Sequence, residues 1–221
     1  MVGAEKENIN MLKNIFHKHK LLWSQKSFRL SAFLSLIFLL ASLLANYAGN
    51  LYASLSASNY VSDLILDNLP VVNIDFMFFE GFGIFILFIV YFLIKEPQKI
   101  PFTIKSIAVF ILIRSISISL THLAVPPDHS PLDNIFRGIT FENDLFFSSH
   151  TGLPFLMALN FWENKRVRLI FILISLIFGA SVLLGHIHYS IDVFAAFFIT
   201  YGIFHITRNL FSKNYALSLE K

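Results

Sequence analysis

Two short runs in the chain carry side chains able to do chemistry together. His150 sits in Ser148-Ser149-His150-Thr151, and His188 opens His188-Tyr189-Ser190-Ile191-Asp192. Positions four apart share a helix face, so the His188 imidazole can meet the Asp192 carboxylate. A carboxylate bonded to one imidazole nitrogen sets the tautomer and stabilises the imidazolium. The other nitrogen is then free to attack an electrophile such as phosphorus. His150 can protonate the departing oxygen. Arg114 can neutralise phosphoryl oxygens, and Ser148, Ser149 and Thr151 surround His150 with hydroxyl donors. The arginine points to an anion; at this level nothing else singles out phosphorus.

The elements that must bring these residues together are membrane helices. The chain has 221 residues, 56% hydrophobic and only 14% charged, with 26 phenylalanines. A soluble domain usually carries about 25% charged residues. A spanning helix needs roughly 20 mostly apolar residues. Six stretches qualify, at 30–50, 74–94, 102–122, 145–162, 167–185 and 188–207. The expected fold is all-α, a six-transmembrane-helix bundle. A leader (1–29) precedes the six-span domain (30–207), and a tail (208–221) follows it. The first apolar run lies behind a long polar leader and lacks an A-x-A site, so it reads as a span rather than a signal peptide.

Positive charge orients the bundle. The leader holds Lys6, Lys13, Lys18, Lys20, Lys26 and Arg29, and basic residues recur at Lys95, Lys99, Lys165, Arg166, Arg208 and Lys213. The alternate links are poor in them: 51–73 has none but carries Asp63 and Asp67, and 123–144 has only Arg137. Both termini are therefore expected on the cytoplasmic side. The site would face the extracytoplasmic side, periplasmic or lumenal. The net charge of +3 follows from this topology, and no nucleic-acid partner is expected. The link at 123–144, punctuated by Pro126, Pro127 and Pro131, reads as a structured loop.

Depth places the polar residues in one layer. His150 lies about 8 Å along span four from its outer end, and Arg114 about 12 Å below the outer end of span three. Asp75 and Glu80 fall in the outer third of span two. Lys105 is the exception, near the inner edge where it can snorkel. Glu80 at this depth can receive an ammonium head group, tune a histidine, or simply pair with Arg114. Tyr189 can help cage a quaternary amine, though in a chain with 26 phenylalanines plain packing is by far the commoner role of an aromatic. His186 and His188 form an H-x-H pair, with His122 and His129 on the same side. No thiol or H-E-x-x-H helix accompanies them, so no metal site is expected. With no cysteine, thiolate chemistry is excluded, and no cofactor is implied.

Asp144 through Thr151 resembles the D-x-x-x-S-G-H-T motif of the sphingomyelin synthase-like branch of the type 2 phosphatidic acid phosphatase superfamily. His188-Tyr189-Ser190-Ile191-Asp192-Val193 resembles that branch's H-Y-T-I-D-V motif. The run from Arg114 to Val125-Pro126 is similar to its third-helix motif, and Asn68-Leu69-Pro70 is a fainter echo of another. The resemblance implies six spans and an outward-facing site, with His188 as a nucleophile forming a phosphohistidine. Asp192 would orient it, and His150 would be general acid and then base. It implies membrane phospholipids and lipid alcohols, diacylglycerol or ceramide-like, as partners. Arg114, Glu80, Asp144, Ser148, Ser149, Thr151 and Tyr189 are the candidate substrate contacts. Two positions depart from the pattern. Ser149 replaces a glycine, and Val182, after Ser181, stands where the wider phosphatase family has arginine. A phosphodiester carries less charge than a phosphate monoester, so the missing cation favours a head-group transferase. The alternatives are a phosphatase or phospholipase C-type hydrolase using the same residues, and a non-catalytic transporter or lipid-binding scaffold.

Overall fold

The computed structural model describes residues 2–130 and 145–220, with side chains from residue 12 onward. Asp144 and Arg137 lie outside the described residues. Among the described residues the regular secondary structure is helical, apart from one isolated bridge, Asn59 to Leu123. Its helices are α1 (Val2–Ser24), α2 (Lys26–Ser56), α3 (Phe82–Lys95), α4 (Ile100–Ser119), α5 (Ser149–Asn160), α6 (Lys165–Leu184), α7 (Ser190–Leu210) and α8 (Ser212–Ser218). A π turn, Met77–Gly81, leads into α3, and a short 3-10 turn, Pro97–Lys99, leads into α4.

Five segments are long and apolar enough to cross a membrane: Lys26–Ser56, Met77–Lys95, Pro97–Ser119, Lys165–Leu184 and Ser190–Leu210. The fourth stretch expected to span, 145–162, forms a helix of only 12 residues, about 18 Å long. Its start is delayed because Ser148 is the N-cap, extended at φ −60° and ψ 118°, with its hydroxyl accepting from Thr151 N–H. Leu145 and Phe147 before it are buried in non-helical backbone. The helix is wrapped by protein on nearly all sides, so it is a core rod rather than a lipid-facing one.

The phenylalanines explain how the rods hold together. Phe85, Phe102, Phe110, Phe147, Phe161, Phe171 and Phe178 belong to one buried cluster around α5. Edge-to-face pairs recur within it, Phe85–Phe171 at 6.1 Å and Phe110–Phe147 at 5.4 Å among them. Such pairs add about 0.5–1.5 kcal/mol each beyond area burial. Close backbone approach does the rest. A Cβ on Gly152 would lie 2.8 Å from both Phe110 Cε2 of α4 and Thr200 Oγ1 of α7. Ser175 of α6 donates to Thr151 O at 2.7 Å.

Lys105 does not snorkel. It is buried and donates to Asn214 Oδ1 of α8 at 2.6 Å and Ser31 Oγ of α2 at 3.2 Å. Burial of the ammonium is offset by these bonds, and α8 is thereby tied to the bundle. Lys99 is held similarly, by Ser218 O at 3.1 Å and Asn160 O at 3.3 Å.

Candidate active site

The N-terminal ends of α5 and α7 meet at one place. The Ser148 N–H donates to Asp192 O at 3.2 Å, so the residue capping α5 is tied to the first turn of α7. His150 stands two residues after that cap and Asp192 is fully buried in the other helix. Both helix N-termini carry partial positive charge, which suits an anion.

His188 and Asp192 come together, but not along a helix face. The helix begins only at Ser190; Tyr189 is extended, with φ −70° and ψ 157°. His188 therefore sits in the turn between α6 and α7. The turn folds its ring back, with Nδ1 3.5 Å from Asp192 Oδ2, an ion-pair separation. The same Oδ2 accepts from Tyr189 N–H at 3.0 Å, which holds the carboxylate in place. Its other oxygen, Oδ1, is buried and has no hydrogen-bond partner. With Nδ1 facing the carboxylate, Nε2 is the nitrogen of His188 left to react.

His150 is set by aromatic rings. Its imidazole stacks on Phe78, with centroids 4.1 Å apart and planes inclined by 28°. Phe82 lies at 4.5 Å and Phe178 at 6.1 Å. Nε2 is 3.2 Å from Phe78 O. A carbonyl can only accept, so Nε2 carries the proton and Nδ1 keeps the free lone pair. Nδ1 is buried with no partner. Phe78 lies in the π turn, a feature that often marks functional positions.

Arg114 reaches the same junction. It is buried, 4% exposed, and its Nε donates to Phe147 O at 2.9 Å. That bond fixes the segment leading into Ser148. The remaining candidates divide. Ser148 and Thr151 are fully buried, and the Thr151 hydroxyl donates to Ser148 Oγ at 3.2 Å. Their hydroxyls thus serve the helix cap. Ser149 is half-buried at the first helical position. Tyr189 is buried, and its hydroxyl donates to Ala124 O at 2.8 Å and accepts from Val61 N–H at 3.2 Å. It pins two loops together. Glu80 is exposed on the π turn and forms no ion pair among the described residues. Among the described residues, no group of three or more His, Cys, Asp or Glu side chains is arranged to hold a metal ion.

Sequence reasoning missed one residue. Asp63, counted there only as a negative charge in a basic-poor link, accepts from Ser190 N–H at 2.7 Å through Oδ2. Its Oδ1 accepts from Ile65 N–H at 2.9 Å and Leu66 N–H at 3.2 Å. It thereby caps the first turn of α7 from a distant loop. Burial pushes its carboxyl upward, but the bonds from Ser190, Ile65 and Leu66 outweigh this and hold it below the usual carboxylate range. Nothing local in the sequence marks such a long-range cap. The other histidine of the H-x-H pair has a separate partner: His186, at φ 53°, has its Nδ1 3.0 Å from Asp128 Oδ2.

Residues 143–209 match the family model described as PAP2 superfamily C-terminal. The matched stretch contains α5, α6 and α7 with His150, His188 and Asp192. It supports the type 2 phosphatidic acid phosphatase superfamily, an activity of the lipid phosphatase or phosphotransferase kind, and a multi-pass membrane protein. No curated protein and no solved structure matches the chain.

Proposed function

We propose that this chain is a phospholipid head-group phosphotransferase, sphingomyelin synthase-like, that works through a phosphohistidine. The observation that carries the reading is the junction of α5 and α7. There the Ser148 N–H bond to Asp192 O ties the cap of the helix that carries His150, its Nδ1 unpartnered, to the first turn of the helix that carries Asp192, the partner of His188. In this reading the bundle crosses six times, α5 being the fourth rod, with both termini cytoplasmic. The site opens toward the extracytoplasmic leaflet.

The chemistry follows from the free atoms. His188 Nε2 attacks the phosphorus of a phosphodiester lipid, and a P–N bond forms as the bond from phosphorus to the diacylglycerol oxygen breaks. Asp192 stabilises the imidazolium. His150 enters this step as the imidazolium, with protons on both nitrogens; the one on Nδ1 passes to the departing alkoxide, and Nε2–H stays on Phe78 O. The hydroxyl of a lipid alcohol, ceramide-like, then gives its proton back to His150 Nδ1 and attacks phosphorus. The P–N bond breaks and His188 is regenerated. Arg114 and the two helix N-termini supply positive potential for the phosphoryl oxygens.

Position 182 supports a diester over a monoester. Val182 is 1% exposed and packs with Ile74 and Ile187. The place where the wider phosphatase family carries an arginine is thus apolar core in this chain, and less positive charge is available for a dianion.

The test is a reconstituted assay with a labelled phosphodiester lipid and a ceramide acceptor. A new acceptor-derived phospholipid is expected. His188→Ala should abolish it, and Asp192→Asn should slow it by roughly ten-thousandfold. Water-soluble phospho-head group released regardless of acceptor would instead identify a hydrolase. Full turnover in His188→Ala would sink the mechanism.

A further inference from the structure

At the end of the bundle opposite the histidines, α1 folds against the turn between α3 and α4. Gln25, extended at φ −78° and ψ 124°, separates α1 from α2. Arg29 Nη1 donates to Trp23 O at 3.0 Å and Ser24 O at 3.2 Å, closing the end of α1 and fixing the bend. The His19 ring hydrogen-bonds Ile94 O at 2.8 Å. The helix is thus anchored to the bundle at its C-terminal part.

Around the α1 axis, at about 100° per residue, three sectors follow one another. Ile15, His19 and Leu22 are half-buried and turn toward the bundle. Next come Leu12, Phe16 and Trp23, 61%, 74% and 41% exposed, which fall within about 40° of one another. Beyond them are the exposed Lys13, His17 and Lys20. Leu21 alone stands apart, on the far side from the apolar stripe. An exposed stripe of Leu, Phe and Trp bordered by lysines is unfavourable in water, and no described element covers it. It suits a helix lying in a membrane surface, with rings at acyl-chain level and ammonium groups among phosphates. Trp is favoured at that depth. The charge on the same end is complementary to anionic lipid: the exposed or half-buried Lys26, Lys95, Lys165 and Arg166 all lie at the helix ends nearest α1.

We propose that α1 is an interfacial helix whose Leu12–Phe16–Trp23 stripe docks into the adjacent leaflet, and that its partner is anionic phospholipid held by Lys13 and Lys20. Each lysine near an anionic surface contributes about 1 kcal/mol, which is about fivefold in partitioning. This rests on the placement of α1 and not on the chemistry of the histidine site.

The chain has no cysteine, so single spin labels report cleanly. The full-length protein carrying Leu12→Cys, Lys13→Cys, Phe16→Cys, His17→Cys or Lys20→Cys, each nitroxide-labelled, is reconstituted in phosphatidylglycerol–phosphatidylcholine vesicles. Collision with oxygen should exceed collision with a water-soluble nickel chelate several-fold at 12 and 16. The ratio should reverse at 13, 17 and 20. In phosphatidylcholine alone, or with Lys13→Gln and Lys20→Gln combined, the contrast at 16 should shrink several-fold. Uniform access to nickel at all five positions would overturn the proposal. So would labels at 12 and 16 that are immobile and reached by neither reagent, which would mean a protein partner or a second copy covers the stripe. An unchanged contrast without anionic lipid would overturn the lipid assignment.

Discussion

Replacing Gly152 by alanine should loosen the junction that carries His150, and the size of the effect can be worked from the packing. The new Cβ would lie 2.8 Å from Phe110 Cε2, 2.9 Å from Phe110 Cζ and 2.8 Å from Thr200 Oγ1. Ordinary contact begins at 3.4 Å, so neighbours on two sides must each retreat by about 0.6 Å. The Thr200 hydroxyl has no hydrogen bond to lose and can rotate. Phe110 cannot yield easily: it is 1% exposed and packed edge-on against Phe147. Overpacking of this kind costs about 1–3 kcal/mol, offset by up to about 1 kcal/mol from replacing a helical glycine. The net loss is up to about 2 kcal/mol. Gly202, on α7, is the control. A Cβ there meets nothing within 4 Å, so Gly202→Ala should gain up to about 1 kcal/mol. The helix gain is common to both variants, so by unfolding in detergent they should differ by the overpacking cost, about 1–3 kcal/mol. Because Phe147 O accepts from Arg114, displacement of Phe110 should also lower turnover in Gly152→Ala and leave Gly202→Ala at the wild-type rate. Equal stability of the two would refute the reasoning that α5 is squeezed between α4 and α7.

Asp63→Asn should weaken the start of α7, with a loss of about 1–3 kcal/mol at neutral pH. The wild-type carboxyl binds its proton less readily when folded. Its contribution is therefore complete above the ordinary value of 3.8 and vanishes as pH falls through the lower folded value. The acid limb of the stability curve should flatten in Asp63→Asn, and parallel curves for the two proteins would contradict this. Val182→Arg should not install a phosphatase: the side chain would enter the cluster of Ile74 and Ile187 at a cost of about 3 kcal/mol. Poor folded yield is expected, measured by size-exclusion chromatography, and a well-folded variant hydrolysing phosphate monoesters would refute it.

The long apolar runs could be read without a fold, because a run of some 20 apolar residues has one low-energy fate in a bilayer. Five of the six stretches indeed form helices long enough to cross. The short α5 could not be read this way. Its start depends on Ser148 as a cap, and its burial depends on four neighbouring rods. A hydropathy window sees only the residues themselves. The His188–Asp192 spacing announced a pair whatever the local backbone, since a helix or a capped turn both return residue 188 to residue 192. Which of the two occurs was decided by Tyr189 being pinned to Ala124 and Val61. The cap from Asp63, the stacking of His150 on Phe78 and the Arg114 bond to Phe147 O all join residues far apart in the chain. Composition and spacing carry no record of such meetings; they exist only once the rods have packed and brought distant donors and acceptors within reach of each other.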